Sequence, residues 1–577
     1  MFALILPRLA MRPVALLLTL VALAASASAQ DASLAITPVT VVDVTGGTLH
    51  PNQTVLIEGR RIAAVGSVDE VAVPDDAETV DTEGGFLIPG LWDMHVHTFN
   101  NNAQQPPNTW TFPLYLANGV TGVRDMFVKP GEQAEQLQVW REEIEAGTFV
   151  GPRFGDVGTL VDGTPPIQNS DTVTTVVEAQ AFVSHVKEAG IDFVKVYSRL
   201  APDAYHALVD AAREAGLYVA GHGPNSVSSF DVAEAGQRSI EHLTGIHETC
   251  SSHEDSLRTA GVWVLFDPGP VVTTFDAEKC KRLYASFAEH STWQVPTLVT
   301  NRIWDAAANV ASFRQDEGIV YIPTWEAAEW EWVSGFLGFT PSAEREHYDN
   351  LYALEKRIVG EMYNAGVPLL AGTDFGNPYI YPGFSLIDEL GILVEAGLPP
   401  LAALQTATLN PARYFDRTDE LGTVAEGKLA DLVLLDANPL EDLSNLRHIR
   451  AVIANGNLYT REQIDQMKQE VLIRNYRDAL AQPVPLGVHP REEAELQPFT
   501  GLYKREGRDA EAQITIQDGN LRVSFGKWID PLEPIGGTLF RVLDSNVLYV
   551  FQMDAEDTVW GVEINDGSNV VRFRRPQ

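Results

Sequence analysis

Gly90-Leu91-Trp92-Asp93-Met94-His95-Val96-His97-Thr98 is the stretch on which the fold reading turns. Its apolar residues and the absence of a turn former after Gly90 mark a strand. Alternate side chains of a strand share a face. Asp93, His95 and His97 therefore point one way, and two imidazoles at that spacing can hold one cation. Taken alone, the pair reads equally well as two structural histidines.

Outward from this strand, residues 89–415 alternate short apolar runs with amphipathic helical patterns such as Pro202–Ala215 and Ala353–Ala365. The runs end near His97, Asp125, Thr159, Tyr197, His222, His242, Thr300 and Asp374. Repeated strand–helix units argue for a parallel sheet, and about eight of them predict an α/β fold of the (β/α)8 TIM-barrel type. The long irregular stretches 244–292 and 300–350 read as active-site lids or insertions. Short β-rich pieces lie on both flanks, in 30–88 and 416–460, and are predicted to join into one split β-sandwich domain. Residues 461–489 read as a helix and a linker carrying Pro483 and Pro485. Residues 490–577 are short strands spaced by turn residues, a separate all-β barrel or sandwich without a catalytic constellation.

The 577 residues carry 78 acids against 41 bases, a net charge of −37. That balance excludes a nucleic-acid backbone or an anionic membrane as partner and fits a small-molecule substrate. Two cysteines are too few for a disulfide scaffold or an all-cysteine zinc site, so any cation falls to histidines and carboxylates. Cys250 and Cys280 read equally as a pair or as free thiols. At the start, Arg8 and Arg12 precede the apolar run Pro13–Ala25 and then Ala27-Ser28-Ala29. This is the pattern of a signal peptide over residues 1–29. The run is short of the ~20 residues a bilayer span needs. The expectation is a periplasmic or secreted protein with no stable membrane insertion after cleavage. Removal of the leader takes away two arginines and no acid, which leaves −39.

Further polar residues end or interrupt the apolar runs. His222 follows Leu217–Gly221, His242 follows Ser239–Glu241, and Asp374 follows Pro368–Thr373. Strand C-terminal ends are where a barrel builds its active site. Lys195 sits inside Phe193-Val194-Lys195-Val196-Tyr197, where an unpaired charge would be costly. It reads either as half of a buried salt bridge or as a lysine carboxylated by CO2 into an anionic bridging ligand.

These segments resemble the metal-dependent amidohydrolase superfamily, in particular its imidazolonepropionase-like and carboxylated-lysine dipeptidase-like branch. The resemblance rests on Gly84–His97, Gly119–Asp125, Ser239–His242, Ala371–Asp374, Ala407–Arg413, Leu421–Thr423 and Gly427–Leu432, and covers about 34–460. It implies two divalent metal ions, zinc by default, with His95, His97 and Asp374 on the first and His222 and His242 on the second. Carboxylated Lys195 and a hydroxide would bridge them, and Asp374 would be the catalytic proton carrier. It also implies hydrolysis of a C–N amide bond in a dipeptide or N-acyl amino acid. A cyclic amide, a lactone or a phosphotriester is the alternative substrate on the same site. A non-catalytic binding protein would lack metal ligands, and all six positions are filled.

Tyr197 is a candidate for binding a substrate carboxylate, as a tyrosine does in related dipeptidases; the competing reading is a packed barrel tyrosine. Arg124 at a strand end is a second substrate-binding candidate, or a structural partner of Asp125. His247 and His253 read as surface positions, with entry into the pocket as the alternative. Val196-Tyr197-Ser198-Arg199-Leu200 departs from the Gly-rich sequence of the dipeptidases, which weakens transfer of their specificity. The C-terminal module resembles small β domains appended to secreted bacterial hydrolases. A homo-oligomer is compatible with all of this.

Overall fold

The computed structural model describes residues 33–480 apart from 81, 101–105, 262–266, 306–312, 314–315 and 331–341. It also describes 493–576 apart from 506–509, 518, 526–527, 537–538, 543–547, 554–557 and 566–569. The expected signal peptide over 1–29 and most of the expected linker lie outside the described residues. Among those described, no helix is long and apolar enough to cross a membrane.

Seven strands run parallel in chain order: Leu91–Val96, Val120–Asp125, Arg153–Asp162, Phe193–Val196, Tyr218–Gly221, Ser239–Glu241 and Trp293–Val295. The gap between the last and the first is spanned by residues 368–371. Leu370 N–H donates to Gln294 O on one side, and Met94 N–H donates to Ala371 O on the other. The result is a nearly closed, TIM-like barrel in which the last expected strand is an irregular segment held by isolated pairings. The run expected to end near Thr300 also differs. Its strand stops at Val295, and Leu298–Asp305 turns helical.

Strand alternation divides the barrel walls. Val194 and Val196 join the apolar layer under the helices, while Phe193 packs inside the barrel with Met126 and Ala220. Lys195 shares the inward face with Phe193. The outer helices follow simple rules. Helix Pro202–Ala215 has Pro202 in its first turn and ends on Gly216 at φ 76°, the left-handed stop that glycine adopts without strain. It buries Tyr205, Leu208, Val209 and Ala212, a stripe at i, i+3, i+4 and i+7. The expected helix Ala353–Ala365 is the second half of a longer one, Ser342–Asn364.

The two flanks share one sheet. Leu432–Leu435 from the second flank pairs antiparallel with Phe86–Pro89 from the first, with Leu432 opposite Pro89. The hydrogen-bonded path is continuous over seven strands drawn from both flanks, and an eighth, Glu78–Val80, pairs with Ser33–Val42 off that path. Its core includes Ile36, Val55, Leu87, Leu432 and Ile453. Phe86–Pro89 leads directly into the first barrel strand, which fixes that strand's entry. The C-terminal strands from Gly501–Arg505 to Val570–Arg574 form a closed antiparallel barrel filled by Tyr503, Phe540 and Phe551.

Cys250 and Cys280 are joined in a disulfide, so the pairing left open by the sequence is made. It ties helix Ile246–Thr249, just after a barrel strand, to helix Ala277–His290.

Candidate active site

Asp93 anchors the first strand to the closing segment. Its Oδ1 accepts from the N–H groups of His95 (3.2 Å) and Thr373 (3.0 Å), and its Oδ2 accepts from Thr373 Oγ1 (2.6 Å). Burial raises its carboxyl to about 6. The two segments meet so closely that a Cβ on Gly372 would lie 2.9 Å from His95 Cβ, so only glycine fits there. Asp374 follows with φ 57°, in the left-handed region, and its N–H donates to His95 O. His242 has φ 58°. Non-glycine residues held there cost of order 1–3 kcal/mol each, and the interlocked strand ends enforce it here.

These contacts bring three groups from distant parts of the chain together. Asp374 Oδ1 lies 3.3 Å from His95 Nε2 and 3.1 Å from His97 Nε2, and Asp374 Oδ2 lies 3.6 Å from His242 Nε2. One donor atom from each of His95, His97 and Asp374 falls within a common 4.8 Å, which suits a cation. Lys195 Nζ is 3.3 Å from His95 Nε2. The His242 ring stands 4.5 Å from that of His95 and 5.3 Å from that of His222, centroid to centroid.

Each of three imidazoles is held by its far nitrogen. His95 Nδ1 meets Glu241 Oε2 at 2.9 Å, His222 Nδ1 meets Ser198 Oγ at 2.8 Å, and His242 Nδ1 meets Thr297 Oγ1 at 2.7 Å. The Nε2 lone pairs are thereby left for the centre, the orientation a metal-binding histidine requires. Protonation states agree. Burial, reinforced by the Lys195 charge, lowers His97 to about 4, and burial lowers His242 to about 3. Burial and the neighbouring His242 push His222 well below its usual range. Burial would raise Asp374, but the charges of His242 and His95 hold it well below the carboxylate range. Burial lowers Lys195 too, against the opposing pull of Asp374 and Glu241. Burial thus disfavours the charged form of His97, His222 and His242.

The centre opens into a cavity of about 350 Å3. Tyr197 lines it with its ring 4.0 Å from that of His222, the position from which it can meet a substrate. Arg124 does not reach it. That side chain is fully buried in the barrel interior, where its Nη2 donates to both Glu241 oxygens at 2.9 Å and its Nη1 donates to Tyr414 OH. The expectation of a substrate-binding Arg124 is corrected accordingly, and so is the alternative pairing with Asp125, which instead accepts from the N–H groups of Thr98 and Phe127. His253 is exposed as expected, whereas His247 is buried on the cavity wall, against the surface reading. Glu241, Ser198 and Thr297 were not singled out from the sequence. Only the position of Glu241 beside His242 marked it, and a strand-end serine or threonine carries no signal of its own.

Fold and donor set together define a barrel with a histidine–carboxylate cluster, able to hold a cation, at the C-terminal ends of its strands. The chain belongs to the amidohydrolase family, whose sequence profile matches residues 86–459. Ochratoxinase of Aspergillus niger is 24% identical over 442 residues, which cover 70% of this chain and 81% of that protein. Adenine deaminase 3 of Rhizobium meliloti (strain 1021) is 26% identical over 208 residues, 35% of this chain and 34% of that protein. The match thus spans about a third of the deaminase's length. Among solved structures, a bottromycin amidohydrolase superimposes with a TM-score of 0.59 at 23% identity, covering 77% of this chain and 90% of its own. A Xaa-Pro dipeptidase with methionine in its active site gives 0.54 at 21% identity, with 74% and 100% covered. At these identities the structural likeness speaks to the fold.

Proposed function

We propose that this amidohydrolase cleaves the C–N bond of a small amide, a dipeptide or an N-acyl amino acid, at a centre of two divalent metal ions. The observation that carries the reading is the convergence of pre-oriented imidazoles on the Asp374 carboxylate. The donors fit the group: His95, His97 and Asp374 suit one ion, and His222 and His242 suit a second. Lys195 would join these ligands as a carbamate, because burial favours its neutral amine, the form that adds CO2. Histidine nitrogens and carboxylate oxygens make zinc the first choice. When bound, such ions supply Lewis-acid polarisation of the scissile carbonyl and lower the pKa of water.

The protein's own groups do the rest. Asp374 Oδ1 faces His95 and His97 at 3.3 and 3.1 Å, and Oδ2 faces His242 at the longer 3.6 Å. Oδ2 is thus placed to take a proton from the attacking water and deliver it to the leaving nitrogen. Burial pushes the Tyr197 hydroxyl up to about 12, which keeps it a donor for a substrate carboxylate. The leader pattern at 1–29 and the Cys250–Cys280 disulfide support a periplasmic or secreted setting.

The test is metal analysis of the purified protein combined with a panel of Xaa-Pro dipeptides and N-acyl amino acids. About two ions per chain, loss of turnover on chelation and recovery on metal return are expected. Hydrolysis of lactones with no cleavage anywhere in the amide panel would sink the amide reading.

A further inference from the structure

The cavity that opens on the metal centre has a second polar wall with no part in the steps above. Helix Ile246–Thr249 contributes His247 and Glu248, and helix Ser342–Asn364 contributes Glu355. All three line the cavity, and both glutamates are deeply buried, at 4% and 5% exposure. His247 Nε2 lies 3.2 Å from Glu355 Oε1, within ion-pair range though off the axis of a hydrogen bond. Burial alone would lower His247, but Glu355 beside it and Glu248 next to it in sequence more than offset that and raise it. Glu248 has no such partner: its Oε2 is buried without a hydrogen bond among the described residues.

A buried carboxylate without a partner is costly, whereas one that waits for a cation is a binding site. Even a protonated His247 compensates only one of the two carboxylates. Lys195 at the metal centre is the one basic side chain, lysine or arginine, on the cavity wall among the described residues. Arg258, behind the wall, is already committed to Gly245 O, Thr249 Oγ1 and Glu254. The adjoining helix Leu298–Asp305 adds Asn301, which also lines the cavity and whose Nδ2 is buried without a partner among the described residues. The wall thus offers an unpartnered carboxyl group and, separately, an amide donor suited to a carbonyl or carboxylate.

We infer that Glu248, supported by the Glu355–His247 pair, receives a cationic group of the substrate, a protonated amine or a guanidinium. The inference rests on the amide-hydrolase reading and names its substrate class: dipeptides or N-acyl amino acids that carry a positive charge. That charge comes either from a basic side chain or from the free α-ammonium of a dipeptide. The two sources share one chemistry.

The metal-loaded full-length protein is assayed with pairs that differ in one cationic group. N-acetyl-arginine against N-acetyl-citrulline isolates a side-chain cation, and Gly-Leu against N-acetyl-Gly-Leu isolates the α-ammonium. In at least one pair the cationic member is expected to have kcat/KM higher on the order of ten- to a hundred-fold, the scale of a charged hydrogen bond. Which pair shows it identifies the source. In E248Q the ratio within that pair is expected to collapse towards one. Neutral members cleaved as fast as cationic ones in both pairs, or an unchanged ratio in E248Q, would overturn the assignment. Calorimetric binding of arginine amide and citrulline amide to the wild-type protein gives an answer independent of turnover and of the variant's folding. Equal affinities would overturn the cation site. Preferential arginine amide binding with no amide cleaved would uphold it and count against the amide-hydrolase reading alone.

Discussion

Glu241 Oε2 stands 2.9 Å from His95 Nδ1, and both oxygens of the same carboxylate accept from Arg124 Nη2 at 2.9 Å. One buried acid thus orients a ligand of the centre and neutralises the cation in the barrel interior. Burial would raise Glu241, but Arg124 overrides it and lowers the carboxyl from 4.5 to about 2.

Replacing that charge tests both duties. Glu241→Gln keeps an acceptor for His95 but leaves Arg124 buried without its counter-charge, a loss of about 3–5 kcal/mol. Metal affinity is expected to fall roughly 10- to 100-fold, because a neutral amide oxygen supports His95 less strongly than the carboxylate does. Calorimetric melting and metal titration read the two effects separately. The pH dependence has a definite sign. A carboxyl with a depressed folded-state pKa stabilises the fold above its unfolded value, and this is lost as pH falls through the folded value. The wild type should therefore lose the Glu241 contribution between pH 4.5 and about 2. The Gln variant, already lacking it, should show a flatter stability curve over that window.

Asp374→Asn removes the ionised oxygen while keeping the size of the side chain. The asparagine still accepts through one atom, so the backbone at 373–374 should hold and far-ultraviolet circular dichroism should be unchanged. Turnover is expected to fall on the order of 10²- to 10⁴-fold, the usual worth of a general acid–base group. A variant with near wild-type kcat would remove Asp374 from the proton path.

How far the sequence reached depends on whether a residue's role is local. Strand alternation suffices to put Asp93, His95 and His97 on one face, and the polar ends of apolar runs mark His222, His242 and Asp374. The barrel's last strand was harder, because 368–371 bonds to both neighbours without regular strand geometry. Arg124 was misplaced because a strand-end arginine points either out of the barrel mouth or into its interior. Only the register with Glu241, 117 residues away, decides between them. His247 was misread for a similar reason: its partner Glu355 belongs to a helix far along the chain, and no periodicity records that meeting.

Lys195 offers a test of its proposed carboxylation. In Lys195→Ala the bridging anion is lost and turnover should fall at least 10²-fold, in line with removal of a group acting only in the assembled site. A short carboxylate such as propionate fits the vacated volume and supplies the missing charge. Partial, saturable recovery with added propionate is expected in the variant and not in the wild type. Recovery with propylamine instead would indicate that the native lysine works as an amine.

The Cys250–Cys280 bridge joins residues 30 apart, and one end caps the four-residue helix that carries His247 and Glu248. A single helical turn has too few internal hydrogen bonds to persist alone, so its position depends on what it is tied to. Closing a loop of that length stabilises by about 3–4 kcal/mol in the chain-entropy description. The double variant Cys250→Ser, Cys280→Ser should therefore melt several degrees lower. The effect on the site should be selective. His95, His97 and Asp374 lie on or just past the first strand and the closing segment, which the bridge does not join, so the ion they would hold should persist at room temperature, while KM rises more than kcat falls as Glu248 loses its fixed place. Equal melting temperatures and an unchanged KM would show that packing of Ile246 and Leu283 in the main core holds this helix without the bridge.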